Sequence, residues 1–374
     1  MMTPTESQYF ALLRAALWAQ PVSMSEPIDW KGIMRIANHH GNTALLSDVA
    51  TRMTGDNSPG AKMQAKMRDS MRSNLVHQMN LKSILISVVQ NFRQHGVEPV
   101  LLKGFGLAML YPNPSLRQFG DIDLFVGLGQ FHEACALVRE MPGCYNWGME
   151  VDVGRHYNVD FGPYPMEIHR VSADVIDEEE NKTYAAIEQD GLFDNARKVD
   201  WEGFELSVPS KEFMVFFTFF HAWHHFLTSG VGLRQLSDVA MALHAYAGEM
   251  ELNKLHSWIA GMHLTEPWQA FGSLMVEHIG LSQAEMPFYT DKCGRTAQKL
   301  YKRIMEEGNF RRDLKFKKRR PKRRVWQKLH SFINTFVDYF HIARIFPKQA
   351  RRELKASLSY AWAKMWKNKG RTDN

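Results

Sequence analysis

The chain has few cysteines, and none are spaced to bind a metal or to form a disulfide framework. Its 374 residues include 3 cysteines, Cys135, Cys144 and Cys293, with no Cys-x-x-Cys spacing among them. Structural zinc sites and disulfide-rich secreted domains both depend on closely spaced or paired cysteines. The composition therefore argues against both classes, and a reducing compartment is expected.

A long hydrophobic run is also lacking. Residues 1–20 open with polar and acidic residues and have no basic segment ahead of an apolar one, which is not typical of a signal peptide. The most apolar stretch, residues 213–227, is shorter than the roughly 20 residues that span a bilayer, and it contains His221, His224 and His225. We therefore expect a cytoplasmic protein without a transmembrane segment. Its length and its 45% of hydrophobic residues predict two or three packed units.

Charge is not spread evenly along the chain. Residues 311–374 contain 20 Lys and Arg against 4 Asp and Glu, whereas the rest has 26 basic and 36 acidic residues. Ten of the basic residues lie within residues 311–324, and nine aromatic residues follow. Such a tail suits peripheral contact with an anionic membrane at its inner face, or with RNA. The alternative is an ordinary pair of helices that packs on the acidic body.

Hydrophobic periodicity divides the chain into four regions: a helical region at 1–95, a mixed region at 96–210, a second helical region at 211–307 and the basic tail at 308–374. In the first region, the pattern predicts a long helix from Ala61 to His95, ended by Gly96. Apolar residues recur along it at four-residue spacing, and we assign this stripe to the core. Its members are Met63, Met67, Met71, Leu75 and Met79.

The mixed region alternates short apolar runs with turn signals. These predict strands around residues 97–102, 121–126 and 204–209, short helices near 105–111 and 128–139, and a hairpin of residues 156–161 and 165–171. From residue 211 onward the pattern is again helical, with segments at 213–228, 233–246, 252–260, 267–279 and 296–306. The expected class is α+β, with a mixed sheet flanked by N- and C-terminal helical regions.

Two aspartates in the sequence DIDLFV carry the main functional signal. On a strand, side chains two apart share a face, so Asp121 and Asp123 should point together while Ile122 points into the core. Paired carboxylates repel unless a cation lies between them, and oxygen ligands suit Mg²⁺, with Mn²⁺ as the alternative. Glu167, in MEIHR on a second predicted strand, would supply a third carboxylate.

The residues ahead of this acidic pair favour a phosphate-binding role. Gly104 follows the apolar run VLLK, and glycine lets the backbone approach a polyphosphate closely. Lys103 and Arg117 supply positive charge on either side of the aspartates. These additions make the motif more specific than an isolated Asp-x-Asp.

Taken together, KGFGLAMLYPNPSLRQFGDIDLFV resembles the signature of an uncharacterised bacterial nucleotidyltransferase family of the DNA polymerase beta-like superfamily. Positions that match the family pattern are Lys103, Gly104, Leu107, Tyr111, Pro112, Arg117, Asp121, Ile122, Asp123, Leu124, Glu167 and His169. The sequence GLRQLSDVA at 232–240 is also similar to the family's helical half, and the resemblance extends over roughly residues 30–280. One departure is that the superfamily's usual Gly-Ser pair is Gly104-Phe105 here, which removes a serine contact to phosphate.

The resemblance implies a polymerase-beta-like palm and transfer of NMP from an NTP, with Asp121, Asp123 and Glu167 holding two metal ions. The implied acceptor is a small molecule, such as a sugar or alditol phosphate of surface-polysaccharide assembly. Alternative acceptors are RNA or a protein side chain. A different class of function is a catalytically silent scaffold that binds membrane or RNA through its tail.

Further candidates surround this motif. Arg234 and Asp238 have the i, i+4 spacing of an ion pair on a helix, and the alternative places Arg234 on a phosphate. His156 and His169 are expected beside the metal ligands, His169 because it shares the face of Glu167. Asp160 is a less favoured candidate for the site. His221 and His225 have i, i+4 spacing but lack the acidic partner of a zinc motif, so we expect them to be core or rim histidines.

Overall fold

The computed structural model describes residues 2–22, 24, 27–145, 155–309 and 339–369, with backbone alone from 360. The predicted α+β class is confirmed. Helices precede and follow a mixed sheet: α1 Pro4–Trp18, α2 Trp30–His40, α3 Thr43–Arg52, α4 Ala61–Gln94, α5 Phe105–Ala108, α6 Gly127–Arg139, α7 Glu178–Glu188, α8 Lys211–Thr228, α9 Leu233–Ala245, α10 Leu252–Gly261, α11 Thr265–Leu274, α12 Gly294–Glu307 and α13 Pro347–Lys369.

Within the described residues, seven strands form one sheet in the order β3-β4-β5-β2-β1-β7-β6. The strands are β1 Val100–Leu101, β2 Ile122–Phe125, β3 Cys144–Tyr145, β4 His156–Phe161, β5 Tyr164–His169, β6 Arg197–Trp201 and β7 Phe204–Val208. The pairs β2–β5 and β1–β7 are parallel, and the other pairs are antiparallel. The predicted β4–β5 hairpin is confirmed, and Gly162, with φ of 63°, occupies its turn.

The long helix α4 is confirmed, but the stripe assigned to its core is wrong in its second half. Met67 is buried, whereas Leu75 and Met79 are 45% and 59% exposed. Each four-residue step advances about 400° around a helix with 3.6 residues per turn, so a strict four-residue stripe drifts by about 40° per step. The buried face instead continues through Asn74, Gln78, Leu81, Leu85, Val88, Val89 and Phe92.

Two hydrophobic cores position the sheet. One lies between the sheet and helices α4 and α6, and it contains Ile122 and Leu124 of β2, as their alternation with the aspartates predicted. The other unites α1–α3 with α8–α12, so helices from both ends of the chain share one core. The acidic face of the sheet therefore lies opposite the first core.

Part of the predicted tail is packed into the second core. Ile342, Ile345 and Phe346 are buried, and the Phe346 ring lies 5.2 Å from that of Trp223 and 5.8 Å from that of Phe226. The ten basic residues within 311–324 lie outside the described residues. Where the structure describes the chain, none of the helices has both the length and the hydropathy to cross a membrane.

Candidate active site

The carboxylates of the acidic motif meet across a pair of parallel strands. Asp123 of β2 and Glu167 of β5 are direct partners in the register. Asp121 immediately precedes β2, and Ile122 and Leu124 turn into the core below. Because side chains alternate along a strand, this register brings the two carboxylates to one face.

Asp123 is fully buried among cationic groups. Its Oδ1 lies 3.1 Å from Lys103 Nζ and 3.1 Å from His169 Nε2. Burial acts to raise the pKa of this carboxyl, but Lys103 and His169 outweigh burial and hold the pKa well below its usual range. Its other oxygen, Oδ2, is buried without a hydrogen-bond partner among the described residues. One buried acceptor is thus left for a ligand.

Asp121 and Glu167 lie at the mouth of the same site, and both line its cavity. The negative charge of Asp123, followed by burial, raises the pKa of Asp121. Burial also acts to raise the pKa of Glu167, but a hydrogen bond with His169, whose Nε2 lies 3.2 Å from Oε2, prevails and lowers it. Three carboxylates so close together favour a bound cation.

A tight turn carries Lys103 to the aspartates. The backbone N–H of Leu102 donates to the Asp123 carbonyl at 3.1 Å, and Lys103 and Gly104 follow at once. Gly104 has φ of 61°, and a Cβ there would lie 3.4 Å from the Asp121 carbonyl oxygen. Glycine is therefore needed both for this backbone conformation and for the close approach to the acidic strand.

Arg117, expected to face a polyphosphate, is instead buried in an ion pair. Its Nε and Nη2 donate to the two oxygens of Asp238 at 2.6 and 2.9 Å, and its Nη1 donates to the Gly104 carbonyl at 2.9 Å. Tyr111 donates its hydroxyl to the same Asp238 at 2.7 Å. Arg117 therefore joins the Gly104 turn to helix α9.

Arg234 is consequently left facing the cavity. Its Nη1 is 3.7 Å from Asp238 Oδ2, longer than the contacts of Arg117, and the side chain lines the cavity. Burial lowers the pKa of Arg234. Of the two arginines, Arg234 is the one placed to meet an anionic ligand.

The two neighbouring histidines lie on the strand face expected for them. His156 and His169 are partners across β4 and β5, and His156 Nδ1 lies 3.8 Å from Glu167 Oε2. Asn158, which the sequence reasoning missed, pairs directly with Glu167, and the alternation of HYNVDF would have placed it on this face. Asp160 pairs with Tyr145 and Pro165 at the other end of β4.

Two histidines of α8 face the cavity from the opposite side. His221 and His225 line it with their Nε2 atoms 2.9 Å apart, and His225 Nδ1 lies 2.7 Å from Ser229 Oγ. Burial, and then Lys103, lower the pKa of both histidines, that of His225 to about 3. They are therefore neutral hydrogen-bonding groups of the cavity wall.

The cavity between these groups has a volume of about 760 Å³. One wall comes from α4, whose Ser70, Ser73, Asn74 and His77 follow i, i+3, i+4, i+7 spacing. Their regular spacing is visible in the sequence and is the signal that predicts this wall. The volume lies in the range of small-molecule sites, roughly 300–1,000 Å³.

Comparison with known proteins gives a family match. A family model described as uncharacterised nucleotidyltransferase matches residues 26–280. Among solved structures, the crystal structure of an antigenic nucleotidyltransferase-like protein from Paracoccidioides brasiliensis is similar over 56% of this chain and 94% of that chain. The pair has 11% identity and a TM-score of 0.35. No curated protein matches the chain.

Proposed function

This chain belongs to the uncharacterised nucleotidyltransferase family, and on that premise we propose that it transfers NMP from an NTP to an acceptor hydroxyl at Asp121, Asp123 and Glu167. The fold around them would be the polymerase-beta-like palm. The observation that carries the proposal is the pairing of Asp123 with Glu167, with Asp121 beside them.

The donor set fits a divalent cation. Asp123 Oδ2 is buried and unpartnered among the described residues, and the pKa of Asp121 is raised by its acidic neighbour. A bound Mg²⁺ would neutralise phosphate charge and lower the pKa of the attacking hydroxyl. Asp121, Asp123 and Glu167 would hold it through oxygen ligands.

The remaining groups would bind and orient the triphosphate. Lys103, 3.1 Å from Asp123 Oδ1, and Arg234 both line the cavity and would bind phosphate oxygens. In the reaction, the acceptor hydroxyl would give up its proton to a carboxylate of the site as its oxygen attacks the α-phosphorus. The bond from the α-phosphorus to the α–β bridging oxygen breaks, and pyrophosphate leaves. Catalysis then rests on in-line positioning and charge neutralisation.

The acceptor would be a small polyhydroxylated molecule, such as a sugar or alditol phosphate of surface-polysaccharide assembly. Support comes from the α4 wall, where Ser70, Ser73 and Asn74 offer polar side chains and His77 adds a ring nitrogen, groups that can hydrogen-bond to hydroxyls. RNA or a protein side chain is the alternative acceptor.

The test is to incubate the protein with each labelled NTP, Mg²⁺ and a cell extract, and to follow where the label goes. Label should reach a small molecule, and Asp121→Asn protein should transfer none. Label on RNA or protein would show that the acceptor is RNA or protein and not a small molecule. Absence of transfer from every NTP would contradict the proposal.

A catalytically silent scaffold is the second candidate. The observation that favours it is that Lys103 and His169 already contact Asp123 Oδ1, at 3.1 Å each. A silent relative should bind no NTP in a Mg²⁺-dependent manner, whereas the enzyme should. Calorimetric titration with and without Mg²⁺ separates the two.

A further inference from the structure

Beside the aspartate pair, strands β4 and β5 place two histidines around one carboxylate. His156 and His169 face each other across the two strands, and Glu167 lies two residues before His169. One ligand atom from each of the three residues can be chosen so that all lie within 4.8 Å of one another. The group is therefore compact enough to surround a single ion.

The distances need little change for coordination. Glu167 Oε2 is 3.2 Å from His169 Nε2 and 3.8 Å from His156 Nδ1. Metal–ligand bonds of roughly 2.0–2.2 Å place neighbouring donors about 3–3.5 Å apart. Small side-chain rotations would bring the three donors to one ion.

One of the two histidines already presents a lone pair. Arg155 Nε donates to His156 Nδ1 at 3.0 Å, so this nitrogen acts as an acceptor. Arg155 Nε also lies 3.9 Å from Asp174 Oδ2, which gives the guanidinium another partner if an ion takes its place. His169 Nε2 donates to the carboxylates of Asp123 and Glu167, and it must lose that hydrogen before it can bind an ion.

Carboxylates also lie around the group. Asp121, Asp123 and Glu167 share the cavity with the cations Lys103, Arg155 and Arg234. Binding of a divalent ion would require His169 to give up the proton that it holds between Asp123 and Glu167. Loss of that proton on metal binding is the usual exchange at a histidine ligand.

The ligand types determine which ion is preferred. Mg²⁺ favours oxygen ligands, whereas imidazole nitrogen suits transition metals. Asp121 and Asp123 offer only oxygen ligands, whereas His156, Glu167 and His169 offer two imidazole nitrogens and one carboxylate. Two cation positions in one site would therefore have different preferences.

We propose that His156, Glu167 and His169 form a second divalent-cation site that prefers a first-row transition-metal ion to Mg²⁺, with Mn²⁺ serving as the paramagnetic probe of the site. The inference rests on the proposed function, because Glu167 would be shared between the cation held by the aspartates and the neighbouring position. It changes the expected role of the histidines from orienting groups to ligands.

The test uses the full-length protein and Mn²⁺ without nucleotide. Electron paramagnetic resonance measures bound Mn²⁺ from the loss of the free-ion signal, and spin-echo modulation detects ¹⁴N nuclei of coordinated imidazole. We expect at least one bound Mn²⁺ with ¹⁴N coupling, and Mg²⁺ should displace that ion only at a tenfold or greater excess. His156→Ala should weaken Mn²⁺ binding at least tenfold and reduce the coupling, while His95→Ala, at the exposed end of α4, should change neither.

Mn²⁺ bound without ¹⁴N coupling would overturn the proposal, as would unchanged affinity in His156→Ala protein. If that variant does not fold, the coupling in the wild-type protein decides alone. Because no nucleotide is present, these outcomes are distinct from a failure of NMP transfer with Mg²⁺. Absence of any Mn²⁺ binding would also overturn the site.

Discussion

At the scale of single residues, substitution of Asp121 and of Asp123 should affect stability differently. Asp121→Asn should reduce transfer by a factor of about 10³ or more, because a lost cation ligand costs several kcal/mol in the transition state. It should leave the cation-free protein as stable as wild type or more so, since it removes repulsion with Asp123. Asp123→Asn should also lower the free energy of unfolding, because Lys103 and His169 lose their buried partner. Turnover assays and urea unfolding without metal measure both effects.

Retention of near wild-type turnover by purified Asp123→Asn protein would exclude the assignment of this carboxylate. Equal loss of stability in both variants would show that the repulsion between the aspartates is not what raises the pKa of Asp121.

The two arginines around Asp238 provide a matched pair. Arg117→Ala leaves a buried carboxylate without its bidentate partner and should lower the free energy of unfolding by about 3–5 kcal/mol. Arg234→Ala should weaken NTP binding by about ten- to a hundredfold, the equivalent of one charge-assisted hydrogen bond. Chemical denaturation and calorimetry with Mg²⁺-NTP report the two quantities.

The reverse pattern would contradict this division. If Arg117→Ala protein remained stable and lost NTP affinity, Arg117 would contact phosphate directly. If Arg234→Ala left NTP affinity unchanged, the phosphates would lie elsewhere in the cavity.

At the scale of single elements, substitutions in helix α4 can show which of its faces packs on the sheet, that of Leu85 or that of Met79. Leu85→Ala should cost about 2–5 kcal/mol of folding stability, because Leu85 is fully buried. Met79→Ala should change stability by less than about 0.5 kcal/mol, because Met79 is 59% exposed. Thermal and urea unfolding of the two variants measure the difference. A large loss in Met79→Ala protein would mean that the exposed half of α4 packs against a partner.

The sequence predicted elements with strong periodicity and missed those with weak signals. Helices α4 and α8–α12, the strand β2 and the β4–β5 hairpin follow from local patterns. Helix α7, in EEENKTYAAIE, has no continuous apolar stripe, and β6, in RKVDW, is a charged strand at the sheet edge. The hydrophobic pattern of each segment is too similar to that of a loop for the element to be predicted.

One pairing in the site could not be predicted from local spacing. The i, i+4 spacing indicated that Arg234 would pair with Asp238, but the buried partner of Asp238 is Arg117, 121 residues away in the sequence. Such a long-range pairing is set by how α9 packs against the Gly104 turn, which no local pattern encodes. By contrast, Asp121 and Asp123 lie side by side on the strand itself.

At the scale of the whole molecule, we expect two separable effects from changes in the C-terminal region. Deletion of residues 308–374 should lower the melting temperature, because it removes Ile342, Ile345 and Phe346 from the core, each contributing about 1.5–3 kcal/mol. Replacement of the ten Lys and Arg in residues 311–324 by Gln should spare the fold and weaken attachment to anionic surfaces. Differential scanning calorimetry measures the first effect.

We propose that this basic run attaches the protein to the inner face of an anionic membrane. Sedimentation with vesicles of varied anionic lipid content, at low and high salt, measures the attachment, which salt should weaken. Equal pelleting of wild-type and Gln-substituted protein would rule out the run as a membrane anchor. Binding to RNA without binding to vesicles would instead favour the RNA acceptor.

The parallel pairing of β2 with β5 also has a kinetic consequence. Asp123 and Glu167 are 44 residues apart in the sequence, and a contact of that separation forms only after loop-closure entropy has been lost. The unfolded chain therefore has no preformed cation site, and a bound ion stabilises only states in which the two strands already lie together. Divalent cations should slow unfolding, and their effect on the refolding rate would report whether this pairing forms before or after the folding barrier.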